Sequence, residues 1–310
     1  MFSYIFRVDA GNIPELGTGH IYRSIEIYKY LLKKGIKKDK ILFIVKSLNK
    51  YSKCKKILLK NKIKFQSIGT NILDFSVEEL NFLNKFKSRV IIFDRMSEIN
   101  RKFIKSLKEN HNKIVGIDIK KKNNVKIDYF INPLNNKFNN KKKILNFKNN
   151  ILPSYNYKKN KKKNYKINKI KKIFVFFGGY DFKKLEKKIK KIKISNTKYI
   201  FSKKNFYSKM STSDIILCSG GLIAFDAIYK NKITICIPQY EHQLKNLKVL
   251  NKQGIISLIK KNTFNGLKST ILNSVNLSKK EKNLIFKKQN KIISWHSQKK
   301  VLNNIYKLHA

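Results

Sequence analysis

Arginine is scarce in this chain. Of 71 basic residues among 310, only Arg7, Arg23, Arg89, Arg95 and Arg101 are arginine, and the rest of a formal charge of +53 comes from lysine. Proteins that read nucleic acid exploit arginine's planar fork. Lysine spread over the whole length, beside abundant Asn and Ile, is not that pattern. All three residue types have A/T-rich codons, so drift in base composition accounts for the charge. No specific nucleic-acid partner is expected. The charge still attracts anionic substrates, and it leaves open a peripheral contact between the basic surface and an anionic membrane.

Cysteine is sparse as well. Cys54, Cys218 and Cys236 are odd in number, and no pair has the spacing of metal ligands. Cys218 and Cys236 lie in apolar runs and read as buried free thiols. No metal and no cofactor are expected. Long apolar runs are missing too: none reaches the ~18 residues that a membrane span needs. The amino terminus lacks a basic flank, a long apolar block and a small-residue cleavage site, so no signal peptide is read. The cytoplasm is the expected compartment. What is present is a 42% apolar content over 310 residues, enough for two domains or one large one.

The first half alternates strand and helix. Phe2 to Val8 reads as a buried strand. Ile21, Ile25, Tyr28 and Leu32 have helical spacing, and Gly35 stops that run. Ile41 to Val45 is a strand, Cys54 to Leu59 a helix and Lys64 to Ile68 a strand. Ser76 followed by Glu79 predicts a capping box before a helix through Phe86. Arg89 to Asp94, Lys113 to Asp118 and Tyr129 to Pro133 read as strands, with a helix between Ile99 and Asn110. Such alternation implies a parallel sheet with helices on both faces, with ligands at the carboxyl ends of the strands. Asp9, Asp94, Asp118 and Asn132 fall at those ends. Asp94 and Asp118 read as turn residues rather than catalytic acids.

From about Asn135 to Lys172 the chain is rich in Lys and Asn and has no clear period. A domain boundary belongs there. The expected organisation is an N-terminal Rossmann-like domain over 1–145, a linker over 146–172, a second Rossmann-like domain over 173–290, and a C-terminal helix over 291–310 that packs back on the first domain. The second domain repeats the alternation, with strands at Ile173 to Phe177, Lys198 to Phe201, Asp214 to Cys218 and Ile233 to Pro238.

Two stretches carry the chemistry. In Leu16-Gly17-Thr18-Gly19-His20-Ile21-Tyr22-Arg23 a strand passes through a glycine turn into a helix. Gly17 and Gly19 permit a tight turn, and free N–H groups at the helix start favour an anion. His20 sits at that start, with Arg23 about one turn on. Taken alone, the stretch fits equally a plain connection with His20 as a surface cap. Arg23 fits either a phosphate or sugar contact or a pair with Glu26 along the helix. The second stretch is Cys218 to Asp226. Ser219, Gly220 and Gly221 form a small turn suited to a diphosphate, Asp226 lies just over one turn into the next helix, and Gly178-Gly179 offers another close backbone approach. His242 reads equally as a ligand contact or a surface residue near a helix start.

On these residues the chain resembles the PseG/SpsG group of nucleotide-sugar hydrolases, which are similar to the MurG-like glycosyltransferases. The likeness runs through Arg7-x-Asp9, Gly17-x-Gly19-His20-x-x-Arg23, Phe177-Gly178-Gly179-x-Asp181, Ser219-Gly220-Gly221-x-x-x-x-Asp226 and His242-Gln243. The resemblance implies an α/β fold of glycosyltransferase-B type, two facing Rossmann-like domains with the active site in the interdomain cleft. It implies that His20 is catalytic and activates water to displace UDP at an anomeric carbon. Arg7, Asp9, Gly17, Gly19 and Arg23 would bind substrate on the first domain. Gly178, Gly179, Ser219, Gly220, Gly221, Asp226, His242 and Gln243 would do so on the second. Departures from the family pattern are a longer interval between Asp9 and Gly17, Ile223 in place of threonine, Asp226 in place of glutamate and His242 in place of asparagine.

The function the resemblance implies is hydrolysis of a UDP-linked 2,4-diacetamido-2,4,6-trideoxyhexose in nonulosonic-acid or surface-polysaccharide synthesis. The alternative is a glycosyltransferase on the same fold, with His20 deprotonating an acceptor hydroxyl on a glycan or lipid. A third reading, a charge-driven nucleic-acid binder, is favoured only by Tyr155 and Tyr157 in the basic linker.

Overall fold

The computed structural model describes residues 1–11, 16–47, 49–69, 71–121, 125–131, 171–178, 181–202, 205–260, 263–293 and 295–309. The chain divides into two compact units, Met1–Tyr155 with His296–Ala310, and Asn156–Trp295. Of the expected linker over 146–172, residues 146–170, with Tyr155 and Tyr157, lie outside the described residues, as do Asn132 and Pro133.

In the first unit the elements run β1 (Phe2–Val8), α1 (Gly19–Lys33), β2 (Ile41–Lys46), α2 (Ser52–Lys60), β3 (Phe65–Ile68), α3 (Val77–Leu83), β4 (Ser88–Asp94), β5 (Glu98–Ile99), α4 (Arg101–Leu107), β6 (His111–Ile117), β7 (Lys120–Lys121) and β8 (Tyr129–Ile131). Six strands form a parallel sheet in the order β3-β2-β1-β4-β6-β8. All six residues of β2 are buried, because a parallel sheet is covered on both faces and its strands are apolar throughout. Successive side chains point to opposite faces. Tyr4, Phe6, Phe43, Val45 and Ile92 therefore join one core, and Ile5, Leu42, Ile44, Ile91 and Phe93 join the other. From α1, Ile21, Ile25, Tyr28 and Leu31 enter the first core; Leu31 takes the deep position expected of Leu32. The last helix, Trp295–Lys307, adds Val301, Leu302 and Ile305 to the same core, and the Tyr4 hydroxyl donates to the Ile305 carbonyl at 3.2 Å. The fourth helix is shorter than the sequence suggests. Asn100 caps it, its Oδ1 accepting from Phe103 N at 2.8 Å, and Glu98–Ile99 is a short strand instead.

The second unit holds β9 (Lys171–Phe176), α5 (Leu185–Lys190), β10 (Thr197–Phe201), α6 (Phe206–Thr212), β11 (Ile215–Cys218), α7 (Leu222–Tyr229), β12 (Ile233–Cys236), α8 (Glu241–Lys252), β13 (Ser257–Leu258), α9 (Phe264–Val275) and α10 (Lys279–Ile292). The last helix of the chain is then α11. Its five parallel strands are ordered β10-β9-β11-β12-β13. Lys171 and Lys172, read as linker, open β9.

Each sheet has a point where the strand order reverses. It lies between β1 and β4 in the first unit and between β9 and β11 in the second. Ligands in open α/β sheets bind outside the carboxyl ends of the strands at such a point. The two stretches picked out by sequence follow those strands.

Candidate active site

In the first unit, four polar side chains, His20, Arg23, Asp94 and Asp118, converge where β1, β4 and β6 end. His20 sits in the first turn of α1, 9% exposed. Its Nδ1 lies 2.7 Å from Asp94 Oδ1. Asp94 ends β4 and is fully buried. It also accepts from Arg23 Nε at 3.0 Å, from Arg23 Nη2, and from Ser24 Oγ at 3.1 Å. Arg23 Nη2 donates to Asp118 Oδ2 at 2.7 Å as well. Asp118 follows β6 with a left-handed backbone (φ 57°), a conformation that costs a non-glycine residue energy and persists only when its surroundings enforce it. Its N–H donates to Ile131 O at 2.9 Å.

The electrostatics assign the histidine's tautomer. Burial pushes the Asp94 carboxyl up, but the Arg23 guanidinium and His20 outweigh it and hold Asp94 below the usual carboxylate range. An ionised carboxylate can only accept. His20 Nδ1 therefore carries the proton, and Nε2 keeps the lone pair that a general base needs. Arg23 Nη2, 3.2 Å from Nδ1, is then a neighbour of the ring rather than its donor.

This corrects two sequence readings. Asp94 and Asp118 are not merely turn residues; they anchor His20 and Arg23. Arg23 does not pair with Glu26, whose carboxylate accepts from Lys29 Nζ at 2.7 Å. Arg23 is 0% exposed and bonds Asp94 and Asp118. The signal was visible as an apolar strand followed by aspartate, twice, but every such strand end looks alike along the chain.

A second buried network lies beside the first. Arg7 Nη1 donates to Asp9 Oδ2 at 2.8 Å, and Arg7 Nε to Glu79 Oε1 at 2.6 Å. Asp9 Oδ1 accepts from Lys46 N at 2.8 Å, tying the end of β1 to β2. Arg7 is 0% and Asp9 4% exposed. The Arg7-x-Asp9 motif thus braces the sheet, where sequence suggested substrate contacts. Glu79 also takes Arg95 Nη1 and Nη2 and the Phe75 N–H. Burial pushes this carboxyl up, yet Arg95 and Arg7 bring it down to about 2. The capping box expected at Ser76 is half formed. Ser76 Oγ accepts from Glu79 N at 3.3 Å, but the Glu79 carboxylate turns to the arginines. Gly17 carries no steric demand for glycine: a Cβ there would meet nothing within 4 Å. Gly19 is the first residue of α1.

In the second unit, Gly178 (φ 90°) follows β9 and Gly220 (φ 89°) follows β11. A Cβ on Gly220 would collide with the Leu247 side chain. Gly221 is the N-cap of α7 and supplies no side-chain cap, which leaves the first-turn N–H groups without a side-chain acceptor from that position. Gln243 Oε1 accepts from Gln239 N at 2.9 Å, and Gln239 Nε2 donates to Phe177 O at 2.8 Å. Ser219 Oγ lies 3.5 Å from the same carbonyl. Gln239 therefore holds the loop before α8 against the end of β9, with Gln243 bracing its backbone, and sequence reasoning missed Gln239. Asp226 is 0% exposed. It lies in the run of buried residues of α7 from Ile223 to Tyr229. His242 lies in α8, its side chain outside the described residues, as is all of Gly179.

Among the described residues, His20, Asp94 and Asp118 offer ligand atoms within 4.8 Å of one another, a grouping that cysteine spacing could not reveal. No helix among the described residues is long and apolar enough to cross a membrane.

No family model and no curated protein matches this chain. Solved structures do. MurG of Acinetobacter baumannii superposes with a TM-score of 0.59 at 10% identity, covering 98% of this chain and 99% of that one. The spinosyn forosaminyltransferase SpnP gives 0.57 at 8% identity, covering 99% of each chain. The glycosyltransferase VinC in complex with DTDP gives 0.52 at 7% identity, covering 99% of this chain and 100% of that one. At such identity the likeness speaks to the fold alone: α/β, with two Rossmann-like units of glycosyltransferase-B type built on parallel sheets.

Proposed function

We propose that this chain is an enzyme that cleaves the glycosidic C–O bond of a nucleotide sugar, with His20 as general base. The observation that carries the reading is the 2.7 Å contact between His20 Nδ1 and Asp94 Oδ1, which leaves Nε2 as acceptor at a strand-order reversal. Water gives a proton to Nε2, its oxygen bonds to the anomeric carbon, and the C–O bond to the diphosphate breaks with its electron pair leaving on UDP. The motif resemblance gives the Ser219–Gly221 turn the part of nucleotide-diphosphate contact, a role its glycines and the start of α7 suit. Asp94 and Arg23 position the base; Arg7 and Asp9 hold the strand that precedes it. The motif resemblance supports a UDP-linked diacetamido-trideoxyhexose as substrate and hydrolysis as the outcome.

Transfer to an acceptor hydroxyl is the second reading. It is favoured by the fold's likeness to SpnP and VinC, both named as transferases. The two part in one assay: release of UDP from a panel of UDP-sugars without acceptor, for wild type and His20→Ala. Release that vanishes in the variant supports hydrolysis. UDP binding with release only after an acceptor is added supports transfer. Absence of UDP binding overturns both.

A further inference from the structure

One nitrogen of Arg23 occupies the meeting point of three side chains that otherwise have the makings of a metal site. Nη2 lies 2.7 Å from Asp118 Oδ2 and 3.2 Å from His20 Nδ1, and it bonds Asp94 Oδ1. Those residues bring one imidazole nitrogen and two carboxylate oxygens within 4.8 Å of one another. That donor set suits Zn²⁺ or Mn²⁺. Ligand atoms about 2.1 Å from an ion are at most about 4.2 Å apart, so a small contraction would close the site.

We propose that Arg23 is a built-in cation filling a metal-competent His20–Asp94–Asp118 site, and that these ligands capture one divalent ion when the guanidinium is removed. Both carboxylates are almost wholly buried, Asp94 at 0% and Asp118 at 3% exposure. Buried charges left without a partner are strongly unfavourable, so losing Arg23 creates a demand for another cation. Among the described residues, Asp118 Oδ1 is buried and has no hydrogen-bond partner, so Arg23 leaves part of this carboxylate's capacity unused. Among the described residues Arg23 Nη1 is also buried and unpartnered: the guanidinium fits by charge and through Nε and Nη2, not by filling every bond.

The choice of cation has a chemical consequence. A metal on Nδ1 would force the ring proton to Nε2 and so remove the base. A guanidinium balances the carboxylates while Nδ1 still donates to Asp94. The ion-filled variant should therefore be inactive even when fully folded.

The test is a titration of Arg23→Ala with Mn²⁺ followed by electron paramagnetic resonance, and with Zn²⁺ by calorimetry, beside wild type and the double variant Arg23→Ala/Asp118→Asn. One ion per chain is expected in the single variant. Removing the Asp118 ligand should weaken it by about 100-fold or more, and wild type should show no such site. Arg23→Gln, which keeps bulk without charge, is the second variant. If Arg23→Ala folds only with metal, Zn²⁺ should raise its thermal midpoint and leave that of wild type unchanged. The proposal is overturned if either variant folds and binds no ion, if neither folds even with metal present, or if wild type binds an ion through these residues. Metal binding is read without any sugar substrate, so its failure is distinct from failure of the enzymatic reading.

Discussion

Arg95 clasps Glu79 with two parallel hydrogen bonds, Nη1 to Oε1 and Nη2 to Oε2, each 2.7 Å long. Arg7 reaches the same carboxylate from β1 at 2.6 Å. A helix start, a strand end and the residue after β4 are thereby joined through one buried anion. Breaking a buried pair by removing one partner is costly because the other charge remains. Glu79→Gln should lose about 3–5 kcal/mol of stability, read as a lowered urea midpoint with unchanged slope.

The same carboxylate gives an acid signature. Its folded value is about 2, depressed from 4.5. Stability from this group is complete above about pH 4.5 and is lost as pH falls toward 2. Urea midpoints of wild type should fall steeply across that window, and those of Glu79→Gln should fall less.

His111 contributes in a higher window. It is fully buried at the start of β6, with Nδ1 2.7 Å from Ser88 Oγ. Burial lowers it from 6.5 to about 4. The unfolded chain takes up a proton below 6.5 and the folded chain does not until near 4, so stability declines as pH falls between those values. His111→Gln should flatten the profile from pH 6.5 to 4 and leave the Glu79 window intact. An unchanged slope in that interval would refute this account of His111.

Asp94→Asn tests the orientation of the base. The amide can accept from His20 Nδ1 or donate to it, so the tautomer is no longer held. Turnover should fall by about 10²–10⁴-fold. KM should change little, since Asp94 is buried and touches only protein groups. A KM effect with turnover preserved would instead assign Asp94 to substrate binding.

The two glycine turns of the second unit should differ. Both Gly178 and Gly220 have left-handed backbones, so alanine at either is strained by about 1–2 kcal/mol. Gly178 has open space around it, whereas a Cβ on Gly220 strikes Leu247. Gly220→Ala should be the more destabilising, and Leu247→Ala should recover part of that loss. Equal losses at the two sites would show that backbone strain alone matters.

The composition offered a clue whose meaning emerged only in three dimensions. Arginine is rare, yet three of the five arginines, Arg7, Arg23 and Arg95, are at most 2% exposed and bridge two or more carboxylates. A lysine ammonium is a point charge and cannot span two acids with fixed geometry.

The order of strands and helices, their apolar runs and the glycine turns were legible in the chain itself, because continuous apolar segments report burial on both faces and glycine reports backbone that other residues avoid. The pairing of charges was not. His20 and Asp94 are separated by 74 positions, and Arg23 and Asp118 by 95. Only the parallel arrangement of β1, β4 and β6 brings their carboxyl ends together. An aspartate after a strand looks the same whether it opens a turn or holds an imidazole, and the sheet decides which.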